Sequence, residues 1–450
     1  MTDSFIRLEI SLPSGRSEIV AVSQYGTIAD VKVAAQRCFG QRFLRLAAPD
    51  GRLLDPTDSL SLSNFQDGDS LAAVALQPTI AATRMAFAMG CVGGNRTVTW
   101  GHSLGGGSFG RSTAIRHQPS NIQQICATGY AFAAVSADGA VMTWGDGIYG
   151  GDSSRVQDQL RNVQKIFATD FAFAAVLADG TVVTWGDAEN GGDSSKVQDQ
   201  LRNVQQILAT GFAFAAVLAD GSVVTWGTAS HGGDSSRVQS QLRNGPQICA
   251  TDHAFAAVLA DGTVVTWGDA ENGGDSSRVQ DQLRHVQKIF ATNYAFAAVL
   301  ADGSVVTWGD AKRGGNSSRV QDRLRNVQKI FATRFAFAAV LADGSVVTWG
   351  TPSHGGDSSK VQDQLLHVQE ICATEGAFAA VLADGTVVTW GIAGNGGDSS
   401  RVQDQLTKVQ QICATEDAFA AISADGSLVT WGNAKHGGDS SRVQDQISHL

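Results

Sequence analysis

The apolar and polar positions of this chain fall into blocks that recur. In residues 165–185, KIFATDFAFAAVLADGTVVTW, the run AFAAVLAD (172–179) is apolar on both alternating faces, the pattern of a strand covered on both sides. Asp179-Gly180 supplies the tolerance for positive φ that a tight hairpin needs, and Val182-Val183-Thr184-Trp185 returns as the partner strand. Upstream, VQKIFA (163–168) reads as a third strand that turns at Thr169-Asp170. Near copies of this block end in Trp-Gly. The tryptophans stand at 100, 144, 185, 226, 267, 308, 349, 390 and 431, separated by 44 residues once and then by 41 seven times. A period of this size predicts a stacked or circular array in which each unit buries its apolar face against its neighbours.

The segment GGDSSKVQDQL (191–201) completes the unit. Val197, Leu201 and Val204 are spaced i, i+4, i+7, and Ser195 with Gln198 fits an N-cap and its capping-box partner, so a helix of one or two turns is expected. A fourth, outer strand is the competing reading; three strands plus a short helical or irregular segment is favoured. The two ends are complementary. Residues 79–100 hold the strands of a unit without its Gly-Gly-Asp-Ser-Ser segment, and residues 437–450 hold that segment without strands. Joined, they would close a ring of nine blades and protect its edges; an open superhelical array of blades is the alternative.

The pattern I-x-A-T-x-x-A-F-A-A-V-L-A-D-G-x-V-V-T-W-G resembles the regulator-of-chromosome-condensation repeat, a β-propeller family, over residues 79–450. Gly-Gly-Asp-Ser-Ser stands where the family has Gly-Gln-Leu-Gly, and Phe173 where it often has His. The short period is similar to the compact bacterial β-lactamase-inhibitor branch, whose blades have three strands.

Residues 1–77 lack the repeat. FIRLEISL (5–12), a Pro13-Ser14-Gly15 turn and SEIVAV (17–22) predict a hairpin; Thr27 fits the N-cap of a helix over Ile28 to Phe39 that Gly40 stops. Leu44 to Leu46, a turn at Pro49-Asp50-Gly51 and Leu71 to Leu76 finish a ββαββ order. In that order and size the segment resembles a ubiquitin-like (β-grasp) domain, with RLAAPDGRLLD matching the third and fourth strands. The resemblance places the family's apolar recognition patch on Ala47 and Val74. No Gly-Gly tail follows Leu76, so a fixed adaptor is expected, not conjugation.

Charge and composition narrow the function. A formal charge of −10 argues against a broad grip on nucleic acid. Residues 1–20 lack the layout of a secretory signal and no apolar run approaches a membrane span, so an intracellular chain is expected, in the cytoplasm first and the nucleus second. Cys126, Cys249, Cys372 and Cys413 share one column with Phe167, Leu208, Phe290 and Phe331, which marks buried core thiols, with no metal or disulfide role. His231, His354 and His436 share a loop column with Tyr149, Asn190, Asn272, Arg313 and Asn395, which reads as surface variation. Asp193 and its equivalents follow a Gly pair, but the spacing of calcium-binding β-rolls is missing and Asn316 takes the place in one unit, so turn or cap duty is expected. No metal, cofactor or catalytic constellation is expected, and hence no enzyme.

What varies is the pair after Ala-Thr and the loop after Trp-Gly. Tyr130, Phe171, Phe212, His253, Tyr294 and Phe335 come from six consecutive units and would form an arc of aromatic anchors for a protein partner. The leading expectation is a non-enzymatic protein-binding scaffold whose ubiquitin-like domain addresses the ubiquitin–proteasome system. From the resemblance come two alternatives: a guanine-nucleotide exchange or regulatory factor for a small GTPase, and the recruitment subunit of a HERC-like ubiquitin ligase.

Overall fold

A computed structural model describes residues 5–39, 44–55, 58–61, 63, 65–75, 78–83, 86–91, 97–101, 106, 121–424 and 427–441. Contacts divide the chain into two compact units, one holding residues 1–147 and 151–166, the other residues 148–150 and 167–442.

In the first unit, strands β1 (Phe5–Ser11), β2 (Ser17–Ser23), β3 (Leu44–Ala47) and β4 (Ser70–Ala75) form one sheet in the order β2-β1-β4-β3, with helix α1 (Ile28–Phe39). Strand β1 runs antiparallel to β2 and parallel to β4, the β-grasp connection. Alternation along β1 sends Ile6, Leu8 and Ile10 into the core beside Val31, Ala35, Leu44 and Leu71. The helix starts after Thr27 as expected, but the Thr27 hydroxyl does not cap it: Asp30 Oδ2 reaches back and accepts from the Thr27 N–H and hydroxyl, at 2.7 and 3.0 Å, while the Asp30 N–H goes to the Thr27 carbonyl at 3.0 Å. The predicted stop at Gly40 and the end of the last strand at Leu76 lie outside the described residues. The expected fourth strand within RLAAPDGRLLD shrinks to an isolated bridge between Ala47 and Leu53. Ala47 is buried and Val74 exposed, so the two positions do not share an open patch.

From Pro78 on, the described chain forms nine three-stranded antiparallel sheets. The first is β5 (Pro78–Ala82), β6 (Ala86–Cys91) and β7 (Val98–Gly101); the second is β8 (Ile122–Ala127), β9 (Ala131–Ser136) and β10 (Val141–Gly145). The third is β11 (Val163–Ala168), β12 (Ala172–Leu177) and β13 (Val182–Gly186), and the fourth β14 (Val204–Ala209), β15 (Ala213–Leu218) and β16 (Val223–Gly227). Five more follow over residues 247–268, 286–309, 327–350, 368–391 and 409–432. The strand predicted to be doubly covered is the middle one of each sheet, and Ala172 to Val176 are buried without interruption. The three-strand reading therefore holds. The expected completion of a ring by residues 437–450 falls mainly on residues 442–450, outside those described.

One joint, between the third and fourth sheets, shows what the repeat motifs do. Ala172, Ala174 and Leu201 pack against Phe214, Ala216 and Trp226 of the next sheet. Phe214 stacks on Trp226 with ring centroids 5.0 Å apart, and Trp226 Nε1 donates to the Gly191 carbonyl at 3.0 Å. Gly191 has φ +104°, and a Cβ there would lie 2.6 Å from the Phe214 ring; one on Gly192 would lie 2.6 Å from the Gly186 carbonyl. The Gly pair is thus the seat of the next unit's Phe-Trp stack.

The GGDSSKVQDQL segment departs from the expected cap. Ser194 is buried, bonded to the Thr184 hydroxyl at 3.0 Å and to Gln198 Oε1 at 2.8 Å, while Gln198 Nε2 reaches the Val182 carbonyl at 2.9 Å. With Gln198 committed to the sheet, no capping box forms at Ser195; only a 3₁₀ turn, Gln198–Gln200, follows, with Val197 at its N-cap. No described helix is long and apolar enough to cross a membrane.

Candidate binding surface

The turn after Ala-Thr and the loop after Trp-Gly are held at the same end of each sheet. In the third sheet the buried Thr169 hydroxyl accepts from the N–H groups of Phe171 and Ala172, at 3.2 and 2.9 Å, and donates to the Asn190 carbonyl at 3.1 Å. The Asp187 N–H donates to the Phe171 carbonyl at 3.0 Å. Asp187 Oδ1 accepts from the N–H groups of Glu189 and Asn190, at 3.0 and 3.1 Å, which fixes the loop.

A backbone ladder ties these ends together across successive sheets. Asp170 N–H donates to the Gly211 carbonyl at 3.0 Å, Gly211 to Asp252 at 2.9 Å and Asp252 to Asn293 at 3.0 Å. It continues from Asn293 to Arg334 at 3.2 Å, from Arg334 to Glu375 at 2.9 Å and from Glu375 to Glu416 at 2.7 Å. Each rung spans one 41-residue repeat, so the side chains one residue further on are drawn into contact. Ring centroids are 5.4 Å apart for Phe171–Phe212, 5.5 Å for Phe212–His253, 5.2 Å for His253–Tyr294 and 5.4 Å for Tyr294–Phe335. Five of the six expected aromatic positions thus form one half-buried column, packed ring on ring. Tyr130, also half-buried, belongs to the other compact unit.

The loop column that reads as surface variation is the second half of this surface. Tyr149 lies 5.4 Å from Phe171; His231 lies 4.6 Å from Phe212 and 4.9 Å from His253; His354 lies 4.6 Å from Phe335. The Arg313 guanidinium sits 4.3 Å over Tyr294 and 5.4 Å over Phe335, and its Nη1 meets Asp310 Oδ2 at 3.0 Å. The signal available in the sequence was that this column holds only Tyr, Asn, His and Arg, side chains that can cover a ring or close a loop. The aromatic column ends where Gly376 and Asp417 replace the ring. A Cβ on Gly376 would lie 2.8 Å from Ile392 Cδ1, the isoleucine standing where Asp187 stands in its own loop. Asp417 instead takes hydrogen bonds from Asn395 and His436.

Burial, followed by the neighbouring His231, holds His253 below the ordinary histidine pKa, so its ring is neutral near pH 7, with Nδ1 unpartnered among the described residues. Burial likewise lowers His354.

The other sequence candidates resolve into structure. The described cysteines of the repeat column are free, but the column lies at the rim of the core: Cys126, Cys249 and Cys372 are half-buried and Cys413 is exposed. In these first strands it is the residues equivalent to Val163 and Ile166 that face fully inward. Burial still pushes the Cys126 thiol up to about 12 and those of Cys249 and Cys372 up to about 11, which leaves them protonated and unreactive near pH 7. Asp193 Oδ1 accepts from the Ser195 N–H at 2.9 Å, and the same bond recurs at Asp234, Asp275, Asn316, Asp357 and Asp398, which is turn duty. Among the described residues no three His, Cys, Asp or Glu side chains are grouped to hold a metal ion. Grooves of about 790, 830 and 980 Å³ open between successive repeats and share one lining, exemplified by Asp193, Lys196, Trp226 and Gln239, so they are a property of the joint.

No family model and no curated protein matches this chain. Among solved structures, the array is similar to RCC1-like β-propeller proteins. Human WBSCR16 is 16% identical, with a TM-score of 0.35, over 53% of this chain and 76% of that one. Prp20p from Saccharomyces cerevisiae is 15% identical, with a TM-score of 0.34, over 61% and 72%. The UBL domain of Plasmodium falciparum Dsk2 is 22% identical, with a TM-score of 0.15, over 16% of this chain and 97% of that domain. At these values the likeness says nothing of activity; the blades rest on the sheets and joints of this chain.

Proposed function

We propose that the chain is a non-enzymatic scaffold in which residues 79–450 hold a protein partner at the end of the sheets that carries the aromatic column. Residues 1–77 act as a separate ubiquitin-like module that links the bound partner to the ubiquitin–proteasome system. The observation that carries this reading is the column itself: five aromatic positions from consecutive repeats, half-buried in mutual contact, with the variable loop residues packed among them, while the strands beneath barely vary. Preorganised rings of this kind offer apolar area at little entropic cost on binding.

The test compares capture by the full chain with capture by two variants. Glu189→Lys with Glu271→Lys changes exposed residues of the loop end, and Ile19→Asp with Val74→Asp changes exposed positions of the N-terminal sheet, so neither pair should disturb folding. The expected result is a partner lost with the first pair and proteasomal or ubiquitin-pathway proteins lost with the second. Capture that is indifferent to the loop pair sinks the scaffold reading, and capture indifferent to the sheet pair removes the ubiquitin link alone.

A further inference from the structure

The column carries its own example of a ligand. Asp310 uses Oδ1 to accept from the N–H groups of Lys312 and Arg313, at 2.8 and 3.2 Å, and Oδ2 to hold the Arg313 guanidinium, which thereby covers Tyr294 and Phe335. The third and fifth sheets have the same loop with the guanidinium missing. Asp187 and Asp269 spend Oδ1 on the same two N–H groups and on the side-chain amides of Asn190 and Asn272, each at 3.0 Å, and Oδ2 has no partner among the described residues. The rings that would receive the cation are in place, Phe171 with Phe212 and His253 with Tyr294, the Tyr294 ring already carrying Arg313 of its own repeat. Charge points the same way. From Asp170 to Asn272 the turns after Ala-Thr and the loops after Trp-Gly carry Asp170, Asp187, Glu189, Asp252, Asp269 and Glu271 and no lysine or arginine, with Lys196 of the following segment lining the groove beside Glu189.

We propose that these two loops each take a guanidinium from a basic, arginine-bearing segment of a protein partner, seated against Asp187 over Phe171 and Phe212, and against Asp269 over His253 and Tyr294, as Arg313 is seated within the chain. The planar guanidinium stacks on a ring and meets a carboxylate edge at once, which an ammonium does less well. His253, neutral, adds no repulsion. The proposal rests on the reading of this loop end as the partner surface.

The test uses the full chain and fluorescein-labelled nona-arginine, nona-lysine and nona-citrulline, read by anisotropy at physiological ionic strength, where the Debye length is about 8 Å and remote charge is screened. Asn190→Arg with Asn272→Arg should fill both sites from within and weaken nona-arginine at least tenfold. Asp187→Asn with Asp269→Asn should weaken it comparably without unfolding the loops, because Asn433 already makes the same cap to Lys435 at 3.0 Å. Gln205→Arg with Gln287→Arg, the same charge change on exposed outer strands, should alter affinity less than twofold. Nona-citrulline should not bind. An equal loss in the outer-strand pair, an undiminished affinity in the Asn→Arg and Asp→Asn pairs, or nona-lysine binding as tightly as nona-arginine overturns the proposal. A protein that the loop end captures equally well in the Asn190→Arg, Asn272→Arg chain would remove this inference and leave the scaffold reading standing.

Discussion

The N-terminal sheet and the repeat sheets bury similar residues but are held together by different means. In the first, Glu9 pairs with Ser70 across most of the segment, and Leu8, Ile10, Val31, Leu44 and Leu71 share one cluster, so no strand is stable without the others. In the second, a joint is complete within one repeat and its neighbour: Leu201, Phe214 and Trp226 reappear as Leu324, Phe337 and Trp349 and as Leu365, Phe378 and Trp390. Packing of this kind predicts one cooperative unit for the first and a sum of repeats and nearest-neighbour joints for the second. The periodic sequence and the Gly pairs follow from the second arrangement, because each joint must be solved again with the same residues.

The largest expected effects test cooperativity. Phe214→Ala removes a fully buried ring and should cost about 3–5 kcal/mol, Leu8→Ala about 2–5 kcal/mol. Hydrogen exchange should separate them: Phe214→Ala lowers protection in the third and fourth sheets and leaves residues 368–432 protected, whereas Leu8→Ala lowers it throughout β1–β4 and α1. Uniform loss across all the repeat sheets in the Phe214 variant would mean that the array unfolds as one unit.

A smaller effect separates the two regions by their glycines. Gly191→Ala must both hold φ at +104° and push a Cβ into the Phe214 ring, and should cost about 2–5 kcal/mol, the sum of the left-handed penalty and overpacking. Gly15→Ala in the β1–β2 turn, at φ +86° with nothing within 4 Å of the new Cβ, should cost only about 1–2 kcal/mol. Urea midpoints of the two variants read the difference, and equal shifts would show that the Phe214 ring yields to the added carbon.

The smallest effect is one of pH. The Ser195 backbone N–H, with the Ser195 hydroxyl second, holds Asp193 below the ordinary carboxylate pKa of 3.8, and Asp234, Asp275, Asp357 and Asp398 are held down in the same way. A lowered folded pKa contributes stability that is present above 3.8 and is lost as pH falls through the folded value. Asn316 makes the same bond with no titration. Asn316→Asp should therefore leave the melting temperature at pH 7 nearly unchanged and make the chain slightly more sensitive to acid as pH falls below 3.8; a larger loss at pH 7 than at low pH would contradict the assignment.

Much of the fold was legible in residue order alone. The three strands of each repeat, the Asp-Gly hairpin and the helix start after Thr27 depend on local period and turn chemistry, and they stand within a residue or so of where the pattern puts them. Ser195 misled because a capping box and a buried Ser-Gln pair share the same spelling; only the reach of Gln198 to Val182 in the adjoining strand decides between them. The loop column of His231, Arg313 and His354 misled because variation at a loop reads as exposure, while the rings that these residues cover lie about twenty residues away or in the next repeat.

The sequence by itself determined the period, the strand count within each repeat and the positions that had to be glycine, because these follow from spacing and from backbone freedom. Only the tertiary structure decided that the aromatic positions touch. That contact requires the ladder of backbone hydrogen bonds from Asp170 to Glu416, each rung joining residues 41 apart, and no single repeat contains the information that its neighbour's carbonyl stands 2.7 to 3.2 Å away. The same ladder made Arg313 a guanidinium held over two rings and left Asp187 and Asp269 each with one carboxylate oxygen that has no partner among the described residues, because a side chain's partner is set by which repeat is stacked beside it.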